Sequence, residues 1–471
     1  EAMREVKQVI AVGLLLALPV AAPLSAAALR AGAAKTVITP DVTAGKVHLA
    51  GFGHNRLATG IHDDLYARCL ALAAGAQTVA MCSVDLIGLF LDDVEKIRAR
   101  VKSQTPEVTH VIVAATHNHE GPDTMGLWGP APFESGLDEK YLEWVNDRIA
   151  ATAVEAIRSL QPARLTLARD DHPSLAQLQE DSRPPYIKDP LLLVMYAFSA
   201  RSGAPIATLV NWSDHPETLG SKNTEITADF PFWLCRRVEA RLGGTAVFFV
   251  GSIGGLLSTL GNQVALQDPE TGEVAQDNTW RKAELFGTLI GDLAVRALAS
   301  GENVSVDSLI VRQAVFFAPL QNDHFRVAAA GGIFKGRKPL YTNGQVDTSV
   351  SEKDFPGYGK LKFNSGQDVR AEVNYLQLLS RGQVAAEIAT VPGEIYPELI
   401  NGGITRFPGA DYPDAPLEPT LRAHLLSKYQ FVFGLGNDEL GYIIPKAEWD
   451  DQAPWLKNKA ERWYGEVNSA G

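Results

Sequence analysis

Ala114-Ala115-Thr116-His117-Asn118-His119-Glu120-Gly121-Pro122-Asp123 follows the apolar run Val111-Ile112-Val113 and closes on a Gly-Pro turn signal. A short apolar run bounded by a turn reads as a buried strand, so the chain delivers two imidazoles to the mouth of a strand. In extended backbone, residues two apart point the same way, which sets His117 and His119 toward one pocket with Asn118 turned aside. That is the first half of a metal site. Paired histidines beside a turn also occur as surface or hydrogen-bonded core residues, and this stretch alone leaves both readings open.

Before this stretch, Leu65 to Ala73 and Thr78 to Val84 read as paired strands around the Gly75 turn, the second ending in Asp85. Asp85 is expected to be structural, a hydrogen-bond partner for a ligand imidazole. Phe90, Val94, Ile97 and Val101 form one helical stripe leading toward the opening strand. After it, a longer helix is predicted over about Asp138 to Leu160, with Leu142, Val145, Ile149 and Ala153 on one face. Pro205 to Ser213 is a strand running into Asp214-His215-Pro216, and Asp229 before Pro231 caps a helix. Ala246 to Val250 is a buried strand opening into Gly251-Ser252-Ile253-Gly254-Gly255, and another helix runs from about Thr279 to Gly301. From about Phe325 to Val369, few apolar positions are periodic, so the chain makes a surface excursion that either covers a pocket or is plain loop. Order returns with Asn374 to Leu379, then Val384 to Val391 ahead of Glu394, then Gln430 to Leu435 ahead of Tyr442.

Several apolar runs therefore end alike: in Asp85, in His117 and His119, in His215, at Gly254, in Glu394 and shortly before Tyr442. The pattern predicts a mixed α/β fold, packed mixed β-sheets flanked by helices in a single large catalytic domain, with ligands beyond the carboxyl ends of strands. Two histidines and a glutamate so placed suit Zn²⁺, whose usual three protein ligands leave a position for water. A TIM-barrel amidohydrolase also uses His-x-His, but its repeated strand-helix alternation is missing.

With 471 residues, 46% of them hydrophobic, the chain can bury a large core. A net charge of -12 without a Lys/Arg-rich run argues against nucleic acid as a partner. Residues 1–28 carry Arg4 and Lys7, an apolar segment interrupted by Pro19, and small residues up to Ala28. This is the order of a secretory signal peptide, so a secreted or periplasmic protein is expected, with an uncleaved anchor as the alternative. Cys69, Cys82 and Cys235, an odd number in apolar contexts, are expected to be buried thiols without a disulfide.

Thr116 to Pro122 resembles the Thr-His-Thr-His-Ser-Gly-Pro motif of the neutral (neutral/alkaline, non-lysosomal) ceramidases, zinc amidases that release a fatty acid from N-acylsphingosine. Gly60-Ile61-His62-Asp63 with Arg68, Asn211-Trp212 leading to His215-Pro216, Val391-Pro392-Gly393-Glu394, and Gly434-Leu435-Gly436-Asn437 leading to Gly441-Tyr442-Ile443 are similar to the family's other landmarks, in the family's order. The resemblance runs from about Ala33 to Trp449. It implies Zn²⁺ held by His117, His215, Glu394 and Tyr442, with His119 as a proton-transfer or supporting group. The implied substrate is a small N-acyl compound, a lipid in the family, and with it a transient contact with a membrane surface.

Two departures stand out. The family's serine, treated as nucleophile or transition-state contact, aligns on Leu257, and Ser258 takes its place as a catalytic candidate only with a slip of one residue. The chain also ends soon after the last landmark, where ceramidases continue into an immunoglobulin-like domain; residues 29–471 are expected to form the hydrolase domain alone. The expectation is a secreted zinc-dependent amidase of sphingolipid type, with activated water as nucleophile and His119 passing a proton to the leaving amine. An esterase or carbohydrate-directed hydrolase on the same metal pocket, and a secreted binding protein without chemistry, are the alternatives.

Overall fold

The computed structural model describes residues 29–470 apart from 133, 257, 261–263, 331, 335–339 and 356–358. The expected signal segment and Leu257 lie outside the described residues. The larger sheet carries β1 (Arg30–Val37), β2 (Tyr66–Ala74), β3 (Gln77–Val84), β4 (His110–Ala115), β5 (Gln161–Asp170), β6 (Leu192–Ser199), β7 (Pro205–Trp212) and β8 (Thr245–Val250). Its order is β8-β7-β6-β5-β1-β2-β3-β4, with Glu302–Val304 added beside β5. The β7/β8 and β3/β4 pairs are parallel and the others antiparallel, so the sheet is mixed.

Both faces of this sheet are covered, because alternate residues of its strands feed two different cores. Cys69 and Ala71 of β2 face a helical layer: α1 (Leu91–Gln104), α2 (Glu139–Arg158), α3 (Phe230–Leu242) and α4 (Trp280–Ala297). Leu70 and Leu72 face the other way, onto Leu376, Leu378, Ile388 and Phe431 of a second sheet. That sheet contains β9 (Ser308–Pro319), β10 (Asp368–Ser380), β11 (Gln383–Thr390) and β12 (Gln430–Phe433). Phe249 of β8 and Phe433 of β12 stack with centroids 3.9 Å apart where the sheets meet. Each leucine, isoleucine or phenylalanine buried in this way contributes about 1.5–3 kcal/mol.

The expected mixed α/β architecture is what the chain adopts, and the α1 and α2 stripes are buried as their spacing predicts. Asp138 caps α2 by accepting from the backbone N–H groups of Lys140 and Tyr141. Strands β5, β6 and β9 go beyond the sequence reading. In β9 Leu309 is buried but Val315, Phe316 and Phe317 are exposed in succession, so no clean alternation marks it. The excursion opens within a helix at Asp323–Ala330 and contains a hairpin of Val350–Phe355 with Gly359–Asn364.

The cysteine expectation is corrected. Cys69 and Cys82 form a disulfide, and Cys235 alone remains a buried thiol. Hairpin register explains it: the turn pairs Ala74 with Gln77, and counting back equally along both strands sets Cys69 opposite Cys82. Directly opposed antiparallel residues bring their Cα atoms close, here to 4.1 Å.

Candidate active site

The loops leaving the two parallel pairs, β3/β4 and β7/β8, converge and build the site. β4 stops at Ala115, short of the histidines, and His117 takes φ 64°, the left-handed region that strains a residue with a side chain. Strand alternation therefore does not aim the two imidazoles; a pinned turn does. Asn118 donates from its side chain to the Thr227 carbonyl and accepts from the Glu120 N–H. Asp63 in turn accepts from the Thr227 hydroxyl and the Ala228 N–H, which fixes the backbone that Asn118 grips. The His119 N–H donates to the Pro216 carbonyl, tying the first histidine loop to the second.

The nitrogens of His117, His119 and His215 converge to within 4.8 Å of one another, and all three residues are buried. Glu394 Oε2 lies 2.9 Å from His215 Nε2 and 3.4 Å from His117 Nε2. Glu394–Ile395 and Tyr442–Ile443 pair in parallel with Glu394 opposite Tyr442, whose side chain hydrogen-bonds to the carboxylate. The structure thus brings together His117, His119, His215, Glu394 and Tyr442. Ser258 is buried nearby: its backbone bridges to His215, and its hydroxyl accepts from the Leu260 N–H and meets Glu217.

Whether these residues fit a metal ion is decided by their lone pairs. His117 Nδ1 lies 2.8 Å from the Ile87 carbonyl, which can only accept, so Nδ1 carries the hydrogen and Nε2 is left bare toward Glu394. Both nitrogens of His119 are buried without a hydrogen-bond partner. Burial lowers the His117 pKa, and burial together with the neighbouring imidazoles and Arg56 lowers that of His119 strongly, so both are neutral. Burial alone would raise Glu394, but His117, His215 and Tyr442 outweigh it and keep the group a carboxylate. Neutral imidazoles around one carboxylate, spaced like neighbouring ligands of an ion bonded at about 2.0–2.2 Å, fit Zn²⁺.

Some contributors carry no metal-site signature in the sequence. The imidazole of His117 is supported by the Ile87 carbonyl, whereas Asp85, expected in that role, accepts from the Tyr66 N–H instead. Arg56 donates to the carbonyls of Ala50 and His119 and to Glu120, which stands where the family motif has serine. Glu217 Oε2 approaches His119 Nδ1 to 3.4 Å; its signal was its place two residues after His215. Above the histidines the cavity wall is apolar, with Phe90, Met125, Leu127, Trp128, Phe325 and Phe334 among its residues. Phe325 and Phe334 belong to the excursion, which therefore covers a pocket.

No protein-family model matches the sequence, and no curated protein matches it. Among solved structures, the neutral ceramidase from Pseudomonas aeruginosa aligns with a TM-score of 0.63 and 17% identity, over 90% of this chain and 69% of that one. A structure of a ceramidase complexed with C2 aligns with a TM-score of 0.64 and 17% identity, over 94% of this chain and 72% of that one. At such identity the likeness concerns fold. The chain has the fold of the neutral ceramidases, with a buried three-histidine group where its strand-end loops converge.

Proposed function

We propose that the protein is a zinc-dependent hydrolase of linear amides, ceramidase-like, acting on an N-acyl lipid or a related N-acyl amine. The observation that carries this reading is the convergence of His117, His215, Glu394 and Tyr442 beside His119 at the foot of an apolar cavity. Bound there, Zn²⁺ supplies Lewis acidity toward the acyl carbonyl and lowers the pKa of a water. The apolar walls take up the acyl chain and exclude bulk water. His119, neutral and lining the cavity, accepts the proton of the attacking water and returns it to the leaving amine, a role typically contributing about 10²–10⁴-fold.

Export and a transient contact with a lipid surface belong to the same proposal. The Cys69–Cys82 disulfide supports an oxidising compartment. No helix among the described residues is long and apolar enough to cross a membrane.

A panel of N-acyl lipids, N-acyl amino acids, simple esters and glycosides tests the reading. Fatty-acid release from N-acyl amines is the expected result; turnover confined to esters or glycosides transfers the site to those classes. Stoichiometric zinc without any turnover would identify a binding protein. On the same panel Ser258→Ala should keep kcat within about tenfold of the parent, because the attack is assigned to water. A drop of several orders of magnitude with zinc still bound would make Ser258 the nucleophile.

A further inference from the structure

We infer that Glu217 is the positioning residue of His119: its carboxylate holds the Nδ1–H of the imidazole, which leaves Nε2 as the basic nitrogen. The inference rests on the amide hydrolysis proposed above for its kinetic consequence, and on geometry alone for the contact itself.

The Pro216-Glu217 pair meets His119 twice, once as a hydrogen bond and once as a longer approach that falls short of one. The Pro216 carbonyl accepts from the His119 backbone N–H at 3.0 Å, and Glu217 Oε2 stands 3.4 Å from Nδ1 of the same residue. The Glu217 N–H donates to the His215 carbonyl, a tight turn that directs the side chain back into the site. The carboxylate also hydrogen-bonds to the Ser258 side chain, a second contact that holds it in place. Glu217 is 8% exposed and His119 7%, so little water competes for this contact. The Phe52 ring packs edge-on against the imidazole at 5.0 Å and limits its rotation.

A neutral imidazole carries one hydrogen, and whichever nitrogen has an acceptor keeps it. A carboxylate facing Nδ1 is such an acceptor, and contacts of this kind are often long before substrate binds and shorten in the complex. A base held in one tautomer by a third group is the arrangement that proton transfer requires. Without Glu217 the hydrogen is free to sit on Nε2, and a ring in that tautomer cannot accept a proton there.

The test uses the full chain labelled with ¹⁵N-histidine, both metal-free and zinc-loaded, with His119 resonances identified by their loss in His119→Gln. Long-range ¹⁵N–¹H spectra should show Nδ1–H in the parent, a shift toward Nε2–H in Glu217→Ala, and Nδ1–H again in Glu217→Gln, whose amide oxygen still accepts. In kinetics, Glu217→Ala should lower kcat for the amide by about 10²-fold, with KM changed less than about threefold and zinc content unchanged. The loss should shrink to below about tenfold on a p-nitrophenyl ester of the same acyl chain, whose leaving group departs without a proton. Glu217→Gln should recover most of kcat. An unchanged His119 tautomer in Glu217→Ala, a Gln variant in the Nε2–H form, or equal losses on amide and ester would each overturn the assignment. Absence of amide hydrolysis in the parent would end the proposed activity instead, while the spectra would still decide the role of Glu217.

Discussion

A His215→Ala protein folds and loses both its zinc and its hydrolytic activity. His215 is 1% exposed and lies three residues past the end of β7, where its backbone bridges to Ser258 and helps set the ring position. Its Nε2 is the nitrogen nearest Glu394, at 2.9 Å, closer than that of His117 at 3.4 Å. Removing the ring takes out one of two imidazoles facing that carboxylate, and a three- or four-ligand site does not hold an ion with that loss. The fold should survive, because the residue lies at the strand mouth and not within either sheet core. Zinc quantified after dialysis should fall to background, circular dichroism should match the parent, and fatty-acid release should be undetectable. Full activity in this variant without zinc would end the metal-based proposal.

The second large effect comes from a residue that never touches substrate chemistry. Gly51 has φ 94°, and a Cβ added there would lie 2.3 Å from His119 Cγ and 2.6 Å from its Nδ1. The imidazole has no simple retreat, since the Phe52 ring is 5.0 Å away on one side and the His117 ring 4.9 Å on another. Gly51→Ala therefore displaces His119 by a large fraction of an ångström, and misplacement of about 1 Å costs about 10²-fold in kcat. The positive φ adds about 1–3 kcal/mol of backbone strain, seen as a lower Tm. The three atoms nearest the new methyl group all belong to His119, so zinc content should stay within about twofold. Loss of zinc along with activity would instead make His119 a ligand, as the three-histidine grouping also permits. An unchanged kcat would remove His119 from proton transfer.

Much of the fold was legible in the sequence because local pattern and tertiary burial agree. Val94, Ile97 and Val101 repeat with helical spacing and are buried on that face of α1. The Gly75 turn fixed the β2/β3 hairpin, and counting its register would also have disclosed the Cys69–Cys82 bond. β9 was not legible: Val315, Phe316 and Phe317 are exposed in succession, so neither a helical nor an alternating pattern exists to be read. In the site, the distant ligand candidates were visible only as an ordered set of landmarks. Their supports, the Ile87 carbonyl, the Arg56 clamp and Glu217, act through backbone geometry and contacts 30 to more than 60 residues apart, or from a position after His215 that resembles an ordinary turn. His117 shows the limit most plainly: alternation along a strand gave the right convergence for the wrong reason, since its backbone is left-handed and not extended.

Anomalous X-ray scattering at the zinc edge, from crystals of the zinc-loaded protein, is the most direct measurement. The expected result is one strong peak within about 2.0–2.2 Å of His117 Nε2, His215 Nε2, a Glu394 oxygen and the Tyr442 oxygen. A difference map without such a peak, or a peak from which Glu394 faces away, would contradict the metal centre and the chemistry assigned to it.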